Sequence, residues 1–152
     1  ICEVIKSINK IDQSIYFILC GEDVRRGMSS LSGGLSNIIY IDYLSDLNVF
    51  YSCLDLFYFP SLNEGQPNVL LEAMSAGVPI IASNISPIID SIPEEAHEYL
   101  VDPYSNSSYI EKILEFRERK SLYPFQAVDR HIKDIYLSEK NFYLFLNELS
   151  GG

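Results

Sequence analysis

Leu56-Phe57-Tyr58-Phe59-Pro60-Ser61-Leu62-Asn63-Glu64-Gly65-Gln66-Pro67-Asn68-Val69-Leu70-Leu71-Glu72-Ala73-Met74-Ser75-Ala76-Gly77-Val78-Pro79-Ile80-Ile81-Ala82 is the stretch whose reading decides the fold. Two apolar runs of strand length, Leu56 to Phe59 and Ile80 to Ala82, bracket a loop and one helix-length segment. Pro67 suits the first position of that helix, where its missing N–H would lack a partner in any case. Gly77 stands where a left-handed stop is wanted, and Pro79 keeps the helix from resuming. The expected helix therefore runs from Pro67 to Ala76, with Glu64 in the loop ahead of it and Glu72 on its second turn.

A helix that starts at the carboxyl end of a strand presents unpaired N–H groups and the positive end of its dipole, which attract a phosphate. In open α/β sheets ligands gather at that edge. Beside an anion, Glu64 is better suited to the neutral hydroxyls of a ligand, and Glu72 reaches further hydroxyls if its helix face turns towards the crevice. On spacing alone, two solvated glutamates have the better claim, because short acidic motifs often arise by chance.

Outward from this centre the chain alternates. Cys2 to Ile8 has helical spacing, and Ile15 to Cys20 is a nearly all-apolar run, as in a strand covered on both faces. Gly21-Glu22-Asp23 closes that run, and Val24 to Leu35, rich in Ser and Gly, is expected to hold one short helical stretch. Ile38 to Ile41 reads as the next strand, with Asp42-Tyr43-Leu44 at its carboxyl end. Ser45 is expected to cap the helix carrying Leu47, Val49, Phe50, Cys53 and Leu54. Beyond the centre come a short helix from Pro87 to Ile92, an acidic turn at Pro93 to Glu98 and a last strand at Tyr99 to Val101. From Asn106 the character is helical: an amphipathic helix over Ser107 to Arg119, a second over Phe125 to Tyr136, and a third capped by Ser138. Five strands separated by helices imply parallel βαβ units, hence an α/β, Rossmann-like parallel sheet with helices on both faces. Residues 1–152 read as one domain, with 106–149 a helical C-terminal extension.

The 152 residues suffice for one domain with a real core, and 47% hydrophobic with 21% charged residues describes a globular chain. A net charge of −10 argues against a nucleic-acid partner, which needs a basic surface. It leaves room for one small anion held by backbone N–H groups. No apolar run reaches the length of a membrane span. Cys2, Cys20 and Cys53 are widely spaced among apolar neighbours and show no metal-site pattern; three buried, reduced thiols are expected, which suits a cytoplasmic compartment. His97 and His131 lie far from the central stretch and pair with no nucleophile, which points to surface or helix-end roles. The chain starts at Ile1 in mid-pattern and reads as an excised domain.

The run Glu64 to Ser83 resembles the signature of the retaining GT-B glycosyltransferases of the large group 1 family, without a gap, and weaker similarity extends from Ile15 to Ile113. The resemblance implies the C-terminal, donor-binding half of such an enzyme: a nucleotide-sugar-binding domain that transfers a hexose-type sugar to a glycan or lipid-linked acceptor, as in the building of a bacterial surface polysaccharide. It assigns donor-sugar hydroxyls to Glu64, as the catalytic residue, and ribose hydroxyls to Glu72. The amides around Gly65, Gln66, Asn68 and Val69 would contact sugar or diphosphate, Tyr43 and Leu44 the base, and Gly21 and Ser83 would line the same crevice. It implies no metal, no cofactor beyond the sugar nucleotide as substrate, retained anomeric configuration, and an acceptor wall on chain outside this segment, through which the inner face of the membrane could be reached.

By the same pattern a further strand precedes the first helix, sits mid-sheet and brings a basic pair for the donor diphosphate. Lys6, Arg25 and Arg26 do not match that pair, and Arg25 and Arg26 are expected on a solvated loop. Two local departures stand out: Gln66-Pro67 replaces an aromatic residue and a glycine common in relatives, which removes one amide donor, and Ile85-Ser86-Pro87 lacks the family's glycines. Two other readings keep the fold: a non-catalytic sugar-nucleotide-binding module, and a GT-B-fold nucleotide-sugar epimerase.

Overall fold

Apolar tetrads between amphipathic segments become strands between helices. The computed structural model describes residues 1–21, 24–27, 35, 37–44 and 46–150, with 25, 136 and 139–150 described for their backbone only. Helix α1 (Cys2–Ile11) leads into β1 (Phe17–Cys20), a single turn α2 (Val24–Gly27), β2 (Ile38–Ile41) and α3 (Leu47–Ser52). Then follow β3 (Phe57–Phe59), α4 (Asn68–Ser75), β4 (Ile80–Ser83), α5 (Ser86–Ile89), a 3₁₀ segment over Glu94–Tyr99 and β5 (Leu100–Val101). Helix α6 (Asn106–Arg119), a 3₁₀ turn over Lys120–Leu122 and α7 (Phe125–Ser150) complete the order. The fold is α/β with parallel strands and flanking helices, as expected.

All described strand pairs are parallel, but they form two sheets and not the single one expected: β1 with β2, and β3-β4-β5. Phe17 lies opposite Ile38 in the first, and Phe57 opposite Ile80 and Ala82 opposite Leu100 in the second. No ladder joins β1 to β3. Between them runs a cleft of about 560 Å³, lined by Ile15, Phe17 and Leu19 on one side, Phe57 and Tyr58 on the other, and roofed in part by Phe116. It falls where the family resemblance puts a further strand. Helix packing, not a ladder to the second sheet, holds β1 in place. Val4, Ile5 and Ile8 of α1 are fully buried, α1 packs on α6, and an Asp12–Arg117 ion pair ties the end of α1 to α6.

Strand β4 is the centre of the core. Ile80, Ile81, Ala82 and Ser83 are all fully buried, and around them cluster Leu70 and Met74 of α4, Ile88 of α5, Tyr109, Ile113 and Phe116 of α6, and Val128 of α7. The helical segment from Asn106 onward thus contributes to the same core. Its aromatic side chains pack with Tyr99: Phe116 stands edge to face with Tyr99 and Tyr123 at 6.3 and 6.2 Å between ring centroids, and Tyr123 is tilted against Tyr99 at 4.8 Å.

Several local expectations are corrected. The two helices expected after Pro124 are one, because Ser138 donates its hydroxyl to the Ile135 carbonyl and stays within the helix where it was expected to cap a new one. Asp46 caps α3, accepting the amides of Asn48 (2.9 Å) and Val49 (3.2 Å); Ser45, expected there, lies outside the described residues. None of the three cysteines is in a disulfide, but Cys20 and Cys53 are exposed and Cys2 half-buried, since each sits at a strand or helix end and not in its apolar stripe. Arg26 lies on the turn of α2, where a loop was expected. Both histidines brace backbone: His97 faces the Ile92 carbonyl and His131 the Ser91 carbonyl, each at 3.1 Å.

Candidate functional site

The local sequence builds the site helix in the expected place with sharper ends. Asn68 is its first residue and Pro67 its N-cap, one position outside the place expected for the proline. At the far end Gly77 takes φ +74°, the left-handed conformation that glycine adopts without a Cβ penalty. The Gly77 amide donates to the Met74 carbonyl and the Val78 amide to the Ala73 carbonyl, both at 3.0 Å, which is the Schellman pair of bonds. Leu70, Ala73 and Met74 face inward, so Asn68, Val69 and Glu72 are left on the exposed face.

The helix start offers fewer free amides than its sequence suggests. Pro67 has none, the Asn68 amide turns back on the Gln66 carbonyl at 2.9 Å, and Leu70 and Leu71 donate to the Pro67 carbonyl. Among the described residues no backbone acceptor holds the amides of Gly65, Gln66 or Val69. Gly65 and Gln66 are exposed, and Glu64 is half-buried in the loop with no protein partner for its carboxylate among the described residues. This loop follows the carboxyl end of β3, beside that of β4.

Glu72 differs from Glu64 in being held. The Tyr51 hydroxyl, at the end of α3, donates to Glu72 Oε2 at 3.0 Å and lies 3.3 Å from the Val69 carbonyl. Burial first, and then the hydrogen bond to Glu72, push the ionisation of Tyr51 well above the ordinary tyrosine range, so the hydroxyl remains a donor. The Cys20 thiol at the end of β1 lies within electrostatic reach of the same hydroxyl. Tyr51 therefore ties the end of α3 to the exposed face of α4. Nothing in the sequence near Glu72 signals it, because the two residues are 21 positions apart.

The other candidate residues fall as follows. Gly21, at φ +140°, closes β1 and donates its amide to the Ile41 carbonyl at 3.0 Å, so it shares one sheet edge with the segment at Tyr43 and Leu44. Tyr43 is 84% exposed and Leu44 half-buried. Ser83 ends β4 on the same edge of its sheet, yet its side chain points inward: it is fully buried and its hydroxyl pairs with that of Tyr109 at 2.8 Å. None of these residues, nor Glu64 to Val69 or Glu72, lines the cleft between the sheets. No lysine or arginine occurs in the sequence between Arg26 and Lys112, the span that holds Tyr43, Leu44 and Glu64 to Ser83. No group of three or more His, Cys, Asp or Glu side chains is placed to hold a metal ion among the described residues.

The profile of the family described as glycosyl transferases group 1 matches residues 1–119. The chain belongs to the group 1 glycosyltransferases. Among curated members, the capsular polysaccharide biosynthesis glycosyltransferase CapM of Staphylococcus aureus is 29% identical over 114 residues, covering 75% of this chain and 27% of CapM. The O-antigen biosynthesis glycosyltransferase WclY of Escherichia coli is 25% identical over 141 residues, covering 90% of this chain and 39% of WclY. This glycosyltransferase chain thus spans well under half the length of the relatives it matches. Two solved structures share the fold. The C-terminal domain of the group 1 family protein LpcC from Francisella tularensis superposes with a TM-score of 0.74 at 22% identity, covering 89% of this chain and 76% of that one. Anabaena HepE in complex with UDP and glucose superposes with a TM-score of 0.80 at 15% identity, covering 95% of this chain and 44% of HepE. No helix among the described residues is long and apolar enough to cross a membrane.

Proposed function

We propose that this chain is the nucleotide-sugar-binding half of a retaining glycosyltransferase, which moves a hexose-type sugar from a nucleoside diphosphate to a glycan or lipid-linked acceptor. The observation that carries the reading is the start of α4. Amides of Gly65, Gln66 and Val69 with no acceptor among the described residues stand there beside two carboxylates of different character, one without a protein partner among the described residues and one held by a buried tyrosine. The departing diphosphate gathers negative charge as the glycosidic bond breaks, and amides aimed at that charge from a fixed helix end stabilise it. Glu64, which no protein group engages among the described residues, is available to fix the donor-sugar hydroxyls and so the direction of the anomeric carbon. Glu72 presents its second oxygen to the ribose hydroxyls. Tyr43, almost fully exposed at the carboxyl edge of β2, is positioned as a platform for the base. HepE, with the same fold, holds UDP and glucose, and CapM is a glycosyltransferase of capsular polysaccharide biosynthesis and WclY one of O-antigen biosynthesis; these facts agree with a sugar nucleotide as donor here.

On this reading the basic groups that compensate most of the diphosphate's charge, and the acceptor wall, belong to chain outside this segment. The test is calorimetry with UDP, GDP and ADP. One of them binds, and Glu72→Ala weakens it through the lost ribose contacts. In a longer protein containing this chain, Glu64→Ala lowers turnover far more than nucleoside diphosphate affinity. Unchanged turnover in that variant removes Glu64 from the donor sugar.

A further inference from the structure

A glutamate on an exposed helix face is a poor ligand-binding group unless something fixes it, because its three side-chain torsions are free in water and must be frozen on binding. Glu72 is exposed on α4. Its Oε2 nevertheless has a partner of the opposite character in mobility. Tyr51 is 4% exposed and wedged in a small apolar cluster with Ala73 and Val78. Its ring stands edge-on to Phe57 (centroids 5.9 Å apart, planes at 75°) and tilted against Phe50 (5.4 Å). The hydroxyl has one proton and two acceptors in range, the carboxylate at 3.0 Å and the Val69 carbonyl at 3.3 Å; the nearer, charged oxygen takes it. Glu72 Oε1 then has no protein partner among the described residues, on a side chain that is exposed.

From this geometry we infer that Tyr51 is a positioning residue of the nucleotide site: it holds one oxygen of Glu72 so that the other meets the ribose hydroxyls of the donor in a fixed direction. The inference rests on the assignment of Glu72 to the ribose given above. Tyr51 itself touches no ligand. Its effect is transmitted entirely through Glu72, and therefore it appears as discrimination between a ribose and a ribose that lacks a hydroxyl, not as a general loss of binding.

The two-dimensional NMR titration of the labelled chain with UDP, GDP and ADP, followed by the 2′-deoxy form of whichever binds most tightly, reads this directly. Tyr51→Phe keeps the ring and its packing. It is expected to bind the ribonucleotide about fivefold more weakly and the deoxynucleotide within about twofold of the wild-type chain, about the net size of one ordinary hydrogen bond, since the loss reaches the ribose only through Glu72. In a Glu72→Ala background, adding Tyr51→Phe changes neither affinity. Should Tyr51→Phe fail to fold, Glu72→Asp keeps the charge but withdraws the carboxylate from the hydroxyl by one methylene, and the same loss of discrimination is expected. If Glu72→Ala loses ribose discrimination while Tyr51→Phe or Glu72→Asp retains it, Tyr51 has no positioning role although the site stands. If Glu72→Ala itself discriminates as the wild-type chain does, or no nucleotide binds, the assignment of Glu72 fails and the inference with it.

Discussion

Ser83 is the residue where sequence resemblance and geometry pull apart most clearly, and Ser83→Ala measures which prevails. Its hydroxyl and that of Tyr109 are 2.8 Å apart, with the two residues 0% and 1% exposed. Removing one partner of a buried pair leaves the other unsatisfied, at a cost of roughly 1–3 kcal/mol. The two deletions are unequal. After Ser83→Ala, Tyr109 has the Tyr58 hydroxyl to turn to, which is buried with no partner among the described residues on a ring packed edge-on to that of Tyr109 at 5.2 Å. The cost is then about 1 kcal/mol. After Tyr109→Phe, the Ser83 hydroxyl has no such substitute, and the cost is about 2 kcal/mol. With a urea slope of about 2 kcal/mol per molar, the midpoints fall by about 0.5 M and about 1 M. The double variant, with both polar groups gone, unfolds at a higher midpoint than Tyr109→Phe alone. Nucleoside diphosphate affinity stays at the wild-type value in Ser83→Ala. A Ser83→Ala chain with wild-type stability and weakened nucleotide binding would refute the reasoning and return the hydroxyl to the crevice.

Other perturbations test the scaffold around the site. Gly77→Ala places a Cβ in open space but at φ +74°, so urea unfolding should show a loss of about 1 kcal/mol, whereas Gly65→Ala, with open space and no positive φ, stays within about 0.5 kcal/mol. Asp46→Ala removes the cap of α3 and costs about 1 kcal/mol by the same measurement. The Ile80 amide donates to the Tyr123 hydroxyl at 3.2 Å, where β5 has not yet begun and cannot supply a carbonyl. Tyr123→Phe therefore strands a buried amide at the start of β4, and lowers stability by roughly 1–3 kcal/mol.

The parts of this fold that were legible in the sequence are those set by neighbours in the chain. The apolar tetrads gave the strands, and Gly77 with Pro79 gave the helix stop, because a left-handed turn demands a residue without a Cβ. What escaped depends on side chains meeting across the fold. Ser138 reads locally as a cap, but its hydroxyl finds a carbonyl within the helix, and Phe125–Ser150 continues through it. Ser83 sits at the expected sheet edge, yet a tyrosine on α6 turns its side chain inward. The split into two sheets follows from α1 being fastened to α6, a contact between elements a hundred residues apart. In the site, the two glutamates were visible as a spaced pair, but their difference was not: the position of Tyr51, on another helix, makes Glu72 a held group, while Glu64 has no protein partner among the described residues.

The central claim is that a sugar nucleotide sits at the carboxyl edge, against the start of α4. The most direct measurement is the map of backbone amide shifts on the chain titrated with UDP-glucose and with GDP-mannose. The account predicts saturable shifts at Gly65, Gln66, Val69 and Glu72, with Gly21, Tyr43 and Leu44 responding to the nucleotide part. Shifts confined to Phe17, Leu19 and Phe57 along the cleft between the sheets, or none with either donor, would contradict it.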